Sequence, residues 1–147
     1  MLDSIDKQLI ILMGQDARQS SETLAKKLNL SAATVRRRIN RLIKNDLLRI
    51  VGIADPAEFG FSLGVVINLD VEQNKLESIM EWLINRTEIK WAATTTGQFD
   101  IIALGGFMST QHLSDFLTKE LPGLEGIKDT ETLISLDVRK GRYTSLF

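Results

Sequence analysis

The chain contains no cysteine, one histidine, one tyrosine and two prolines among its 147 residues. Without cysteine it has no disulfides, no thiolate metal site and no cysteine nucleophile, which suits a reducing compartment. Long apolar runs are also missing. Uncharged, mostly apolar stretches such as IIALGGFM at 101–108 fall far short of the roughly 20 residues that span a bilayer. The opening, MLDSIDKQLI, places Asp3 and Asp6 where a signal peptide has basic residues, so a cytoplasmic location and no membrane partner are expected. No GxSxG, P-loop, HExxH or paired-cysteine pattern occurs. The sequence calls for no catalytic residue, metal or cofactor, and an enzyme is not expected.

What is present is a folded composition, 44% hydrophobic and 25% charged, with length for one ordinary domain or two small ones. Net charge is −1, but it is unevenly divided. Residues 1–50 hold ten Lys/Arg against five Asp/Glu, a balance of +5, and residues 51–147 hold eight against fourteen, a balance of −6. A basic module joined to an acidic one suggests that the first half meets a polyanion.

Periodicity supports that division. Asp3 caps a first helix with Ile5, Leu9, Leu12 and Met13 on one face, ending near Gly14. Ser20 or Ser21 opens a second, with Leu24, Ala25 and Leu28, and Asn29 suits the left-handed turn that follows. Ser31 caps a third, running to about Asn45. RIVGIADPAEFG (49–60) reads as a linker strand plus connector broken by Pro56 and Gly60. Strands are expected over 61–71, as a hairpin within 89–107 turning near Gly97, and over 127–138. Amphipathic helices are expected over 74–86 and 109–121. The second half is therefore β-α-β-β-α-β.

The third helix carries the charge. SAATVRRRINRL (31–42) holds four arginines, and residues 31–45 contain no acid. At 100° per residue with Val35 at zero, Ile39 and Leu42 lie within about 40° of it and form a buried stripe. Ala33, Thr34, Arg37, Asn40 and Arg41 fall between about 140° and 260°, on the solvent side. Small residues at the helix start let a backbone approach base edges in a major groove about 12 Å wide. Arg37 is the expected base reader, with Arg38 and Arg41 as rivals, and Thr34 can meet a thymine methyl. Arg36, Arg38, Arg41 and Lys44 are expected on phosphates, and Ser31 marks a helix N-terminus that offers N–H groups to another.

At this point LDSIDKQLI, the arginine and serine of DARQS, LAKKLNLS, VRRRINRL and TTTGQFDI occur together and in order. The chain resembles the Lrp/AsnC (leucine-responsive, feast/famine) transcriptional regulators over essentially its whole length. The resemblance implies an α+β fold: an N-terminal three-helix, winged-type helix-turn-helix domain (1–48), a linker strand (49–60) and a βαββαβ ferredoxin-like (RAM) domain (61–147). It further implies a sequence-specific regulator of double-stranded DNA that dimerises, assembles to a tetramer or octamer, and binds a small effector, typically an amino acid. By motif, the effector turn is Thr95, Thr96, Gly97, Gln98, Phe99 and Asp100. Gly97 also serves a hairpin turn and Asp100 a turn cap. Thr132 and Ser135 are placed in reach of the same cleft. Departures are Asn29 and Asp46 where the family has glycine, and Ile50 and Val51 entering the linker.

Two other classes compete. An architectural DNA protein would use the same oligomer without an effector. A siroheme-decarboxylase-like relative would need histidines, and only His112 is available, read as a surface residue. Trp82 and Trp91 are read as core or dimer-interface residues.

Overall fold

The structure, a computed structural model, describes residues 2–139. The chain forms two compact units, Met1–Val51 and Gly52–Phe147.

The first unit holds α1 (Ser4–Gln15), α2 (Ser21–Leu28) and α3 (Ala32–Lys44). Each begins at a side-chain cap. Asp3 and Asp6 form a reciprocal capping box on α1, while Ser20 and Ser31 accept from the Thr23 and Thr34 N–H groups. Such caps satisfy amide donors that have no partner in the first turn. Asn29 and Asp46 both adopt left-handed backbone, φ 53°, so these two residues supply the conformation that a glycine otherwise would. Leu9, Met13, Leu24, Ala25, Val35 and Leu42 form the core. Full burial of each larger side chain contributes about 1.5–3 kcal/mol, so this small unit rests on few residues.

The strand expected within 49–60 does not form. Residues 49–53 have no regular structure, Ala54 makes an isolated bridge, and Pro56–Phe59 is a 3-10 turn capped by Asp55. Ile50, Val51 and Ile53 are about half exposed. A β-branched segment becomes a strand only where a neighbour completes its ladder, and no segment of the described chain does so here.

The second unit runs β1 (Leu63–Val71), α4 (Leu76–Ile84), β2 (Ile89–Thr94), β3 (Ile101–Phe107), α5 (Thr110–Asp115) and β4 (Ile127–Ile134). All pairings are antiparallel, in the order β2-β3-β1-β4. Both helices cover one face, where Val65, Ile67, Leu69, Val71, Ile101 and Phe107 pack against Ile79, Leu83, Leu113 and Phe116. The helix expected over 109–121 is shorter than its pattern. After α5 the chain widens into a π turn, Phe116–Glu120, closed by the Leu121 N–H donating to the Phe116 carbonyl. That i to i+5 spacing turns Phe116 and Leu121 toward the sheet together, which an ideal α-helix would not. Gly126 (φ +94°) is required by close approach, since a Cβ there would lie 2.5 Å from Lys75 Cγ.

Phe107 is fully buried and meets Phe116 edge-on at 5.2 Å. Phe107→Ala is expected to lower unfolding stability by about 3–5 kcal/mol, read as a lower urea midpoint.

Candidate nucleic-acid interface and effector turn

On α3 the stripe set by Val35 and Leu42 is buried and Ile39 is partly so. The opposite strip, with Ala33, Arg37, Asn40, Arg41 and Lys44, is exposed. The four arginines of this helix are not equivalent. Arg36 pairs with Glu22 of α2 at 2.9 Å, both side chains being more than half exposed. A surface pair of that kind contributes about 0–1 kcal/mol, so Arg36 is readily released to another anion. Arg38 is turned inward, 19% exposed, and its Nη1 donates to Asp3 at 2.6 Å and Asp6 at 2.8 Å. Arg41 is half exposed and donates Nη2 to the same Asp6 carboxylate. Arg37 has no partner among the described residues, and neither has Lys44.

The phosphate role expected of Arg38 therefore gives way to a structural one. At −60° on the helix wheel it points at α1, where Asp6 sits 1% exposed. Burial pushes the Asp6 carboxyl up. The Arg38 hydrogen bond, the Asp3 backbone N–H and the Arg41 charge outweigh that and hold it below the usual carboxylate range. Asp3 is lowered by its bond from the Asp6 backbone and then by Arg38. Sequence inspection finds Asp3 as the cap of the first helix, but nothing local announces that Asp6 completes the capping box and receives two arginines from thirty residues further on.

Ser31 accepts from the Thr34 N–H at 3.1 Å, and its hydroxyl also meets Thr34 Oγ1 at 2.8 Å. Thr34 is partly buried and its hydroxyl is engaged, while Ala33 is exposed. The Ala32 and Ala33 N–H groups lie in the first turn, where the helix has no acceptor for them.

In the second unit, the turn between β2 and β3 is tied to β1. The Thr95 N–H donates to the Asp100 carbonyl at 2.8 Å and Thr95 Oγ1 to the Phe99 carbonyl at 2.8 Å. The Asp100 N–H donates to the Leu69 carbonyl, and Asp100 Oδ2 accepts from the Val71 N–H at 2.9 Å. Asp100 is thus the buttress of the turn. Gly97 has φ +118°, and Thr96, Gly97 and Gln98 stand exposed at its tip. Ser135 does not join them. Its N–H pairs with the Gly64 carbonyl, at the other end of β1. There it lines an open pocket of about 550 Å3 that also includes Phe61, Gly64, Lys90 and Leu104. Thr132 pairs opposite Ile67, midway along β1.

His112 is held in a charged network. Its Nε2 lies 3.1 Å from Glu88 Oε1, and Glu88 is also approached by Arg86, which bonds Glu120. Burial raises the Glu88 carboxyl, but its backbone bond, His112 and Arg86 together lower it. Among the described residues no group of three or more His, Cys, Asp or Glu side chains is placed to hold a metal, and no helix is long and apolar enough to cross a membrane.

A three-helix unit with an arginine-bearing exposed helix, followed by a ferredoxin-like unit, is the architecture of a DNA-binding regulator with a sensory domain. The profile of the AsnC-type helix-turn-helix domain matches residues 2–43, and that of the Lrp/AsnC ligand binding domain matches residues 64–144. An uncharacterized HTH-type transcriptional regulator of Pyrococcus furiosus is 34% identical over 148 residues, covering 100% of both chains. A second, from Pyrococcus horikoshii, is 31% identical over 99% of this chain and 93% of its own. The chain belongs to the Lrp/AsnC family and is a transcriptional regulator with a helix-turn-helix DNA-binding domain and a ligand-binding domain. The fold agrees with Escherichia coli AsnC (TM-score 0.85, 23% identity, 95% of each chain). It agrees equally with a Neisseria meningitidis transcriptional regulator solved in complex with L-Met (TM-score 0.87, 18% identity, 100% and 96%).

The Asp3–Asp6–Arg38–Arg41 cluster carries a pH dependence. Both carboxyls titrate lower when folded, so their contribution is fully present above the ordinary carboxylate range and is lost as pH falls through the lowered folded values. Melting of the helical unit is expected to drop below about pH 4. Asp6→Ala should cost about 3 kcal/mol at neutral pH and flatten that acid limb, both read from thermal melts across pH.

Proposed function

We propose that α3 reads the major groove of double-stranded DNA, with Arg37 donating a bidentate pair to guanine O6 and N7. The observation that carries this is the pairing pattern: Arg37 is the arginine of α3 left without an internal partner among the described residues. Arg36, Arg41 and Lys44 neutralise flanking phosphates, Arg36 by exchanging its exposed Glu22 contact for a phosphate and Arg41 with the part of its guanidinium that Asp6 does not hold. Ser31 orients the first-turn N–H groups toward a further phosphate, and Ala33 and Thr34 keep the approach close. Arg37→Ala is expected to weaken specific binding by about 1–3 kcal/mol and relax preference at one position per half-site. Lys44→Ala weakens all sequences alike and lowers the salt slope by about 1. Unchanged binding by both variants, in fluorescence titrations over a range of salt, removes α3 from the groove.

The sensory reading is that an amino acid binds at the β2–β3 turn, through Thr95, Thr96, Gly97 and Gln98, with Asp100 holding the turn in shape. The exposed tip on a fixed base supports it, as does the L-Met bound to the Neisseria relative. The oligomeric reading rests on the sheet. Its helix-free face carries Trp91, Leu104 and Leu133, each more than 40% exposed, and a second copy would cover it. A dimer with two such helices binds a pseudo-palindrome with half-sites about 34 Å apart or a multiple of that, and dimers then build tetramers or octamers.

A thermal-shift screen against the twenty amino acids tests the sensory reading. A ligand at 100 times its Kd adds about 2.7 kcal/mol, a rise of several degrees at roughly 2–4 °C per kcal/mol. One hit is expected, weakened by Gln98→Ala. Because Asp100 bonds the Val71 N–H, Asp100→Ala would confuse lost binding with a collapsed turn, so the exposed Gln98 is the informative position. A flat response across the panel points instead to an architectural role.

A further inference from the structure

The exposed strip of α3 contains one polar head that neither the charge pattern nor the pairings account for, the amide of Asn40. It is exposed, and no hydrogen bond ties it within the described residues. On the helix wheel it lies about 60° from Arg37, three residues on, so the two side chains are neighbours on one face. The rise between them is about 4.5 Å, close to the 3.4 Å between successive bases of one strand. Arg38, which is also near in sequence, is removed from this strip by Asp3 and Asp6, and Arg41 is drawn to its α1 side by Asp6. What remains outward at the middle of the helix without a partner among the described residues is the Arg37 guanidinium next to the Asn40 carboxamide, Arg36 being paired with Glu22.

Resting on the reading of α3 as the groove helix, we infer that Asn40 is a second base reader. Its amide donates to N7 and accepts from N6–H2 of an adenine, the bidentate geometry that Asn makes in a major groove. Arg37 and Asn40 together then specify a guanine and an adenine at adjacent positions of each half-site. A lysine or arginine at position 40 would add a phosphate contact and no such preference. The carboxamide, being uncharged, adds little to non-specific affinity, so its effect appears in selectivity alone.

The test is in vitro selection from a random DNA library with the full chain, wild type and Asn40→Ala, followed by titrations on the selected site. Wild type is expected to return a guanine–adenine step in each half-site. Asn40→Ala should lose the adenine preference, keep the guanine, and bind the wild-type site about 5- to 150-fold more weakly, the range for one bidentate base contact. Its melting temperature and salt slope should match those of wild type, because the side chain is exposed and uncharged. Replacing the adenine by 7-deazaadenine should weaken wild type and leave Asn40→Ala unaffected. An adenine preference that survives in Asn40→Ala, with guanine lost in Arg37→Ala, overturns the role of Asn40 and leaves the groove helix standing. A wild type that selects no sequence overturns both.

Discussion

The buried carboxylate of Asp6 receives Arg38 and Arg41 from α3 while its backbone and side chain share a capping box with Asp3. A carboxylate with 1% exposure is costly to desolvate unless paired, and a guanidinium at 19% exposure is similarly bound to its partner. The two demands are met at one point. That point fixes α3 against α1 and removes two of the four arginines from free presentation. The charge that a DNA backbone meets is therefore smaller and better placed than the sequence count suggests. Among the described residues Arg37 and Lys44 have no partner, Arg36 is loosely held, and Arg41 is anchored at one nitrogen with the remainder of its guanidinium facing outward.

The second unit applies the same economy to a sheet. Alternation along β1 and β3 sends Val65, Ile67, Leu69, Ile101 and Phe107 to the helices and leaves Val66, Ile102 and Leu104 on the other side. Two short helices cover one face, so the other remains apolar at one end and polar at the other, where Asn68 donates to Glu131 and Lys128 meets Asp70. The β2–β3 turn projects from this frame and is braced by bonds to Leu69 and Val71 rather than by its own residues alone. The turn thus presents an exposed tip on a base bonded to β1. The bracing of the turn follows from β1 being one of the two inner strands, with its end beside Asp100.

Most elements were legible because their signals are local. The caps at Asp3 and Ser31, the 3.6-residue stripes and the left-handed Asn29 depend on a few neighbouring residues, and each is where the pattern placed it. The family motifs are of the same kind, short runs in a fixed order, and the matched domains cover 2–43 and 64–144. Legibility failed where a feature depends on a distant partner. The β-branched linker at 49–53 has the composition of a strand and no ladder to join. The helix over 109–121 has a continuous apolar pattern, yet Phe116 and Leu121 both had to reach one sheet and the backbone widened to allow it. His112 reads as a surface residue until Glu88 is brought to it from 24 positions away.

By itself the sequence determined the class of protein: a basic three-helix module, an acidic βαββαβ module, and an arginine helix whose exposed face is acid-free. Those are properties of composition and period, which need no third dimension. Which arginine is left without a partner among the described residues was decided only by tertiary structure. Arg36, Arg37, Arg38 and Arg41 are chemically identical, and only the acids that folding brings beside them from α1 and α2 set them apart. Likewise, Asp100 became the support of its turn because β1 presents the Val71 N–H to it. Charge is written in the chain, whereas the partner that neutralises it is chosen by the fold.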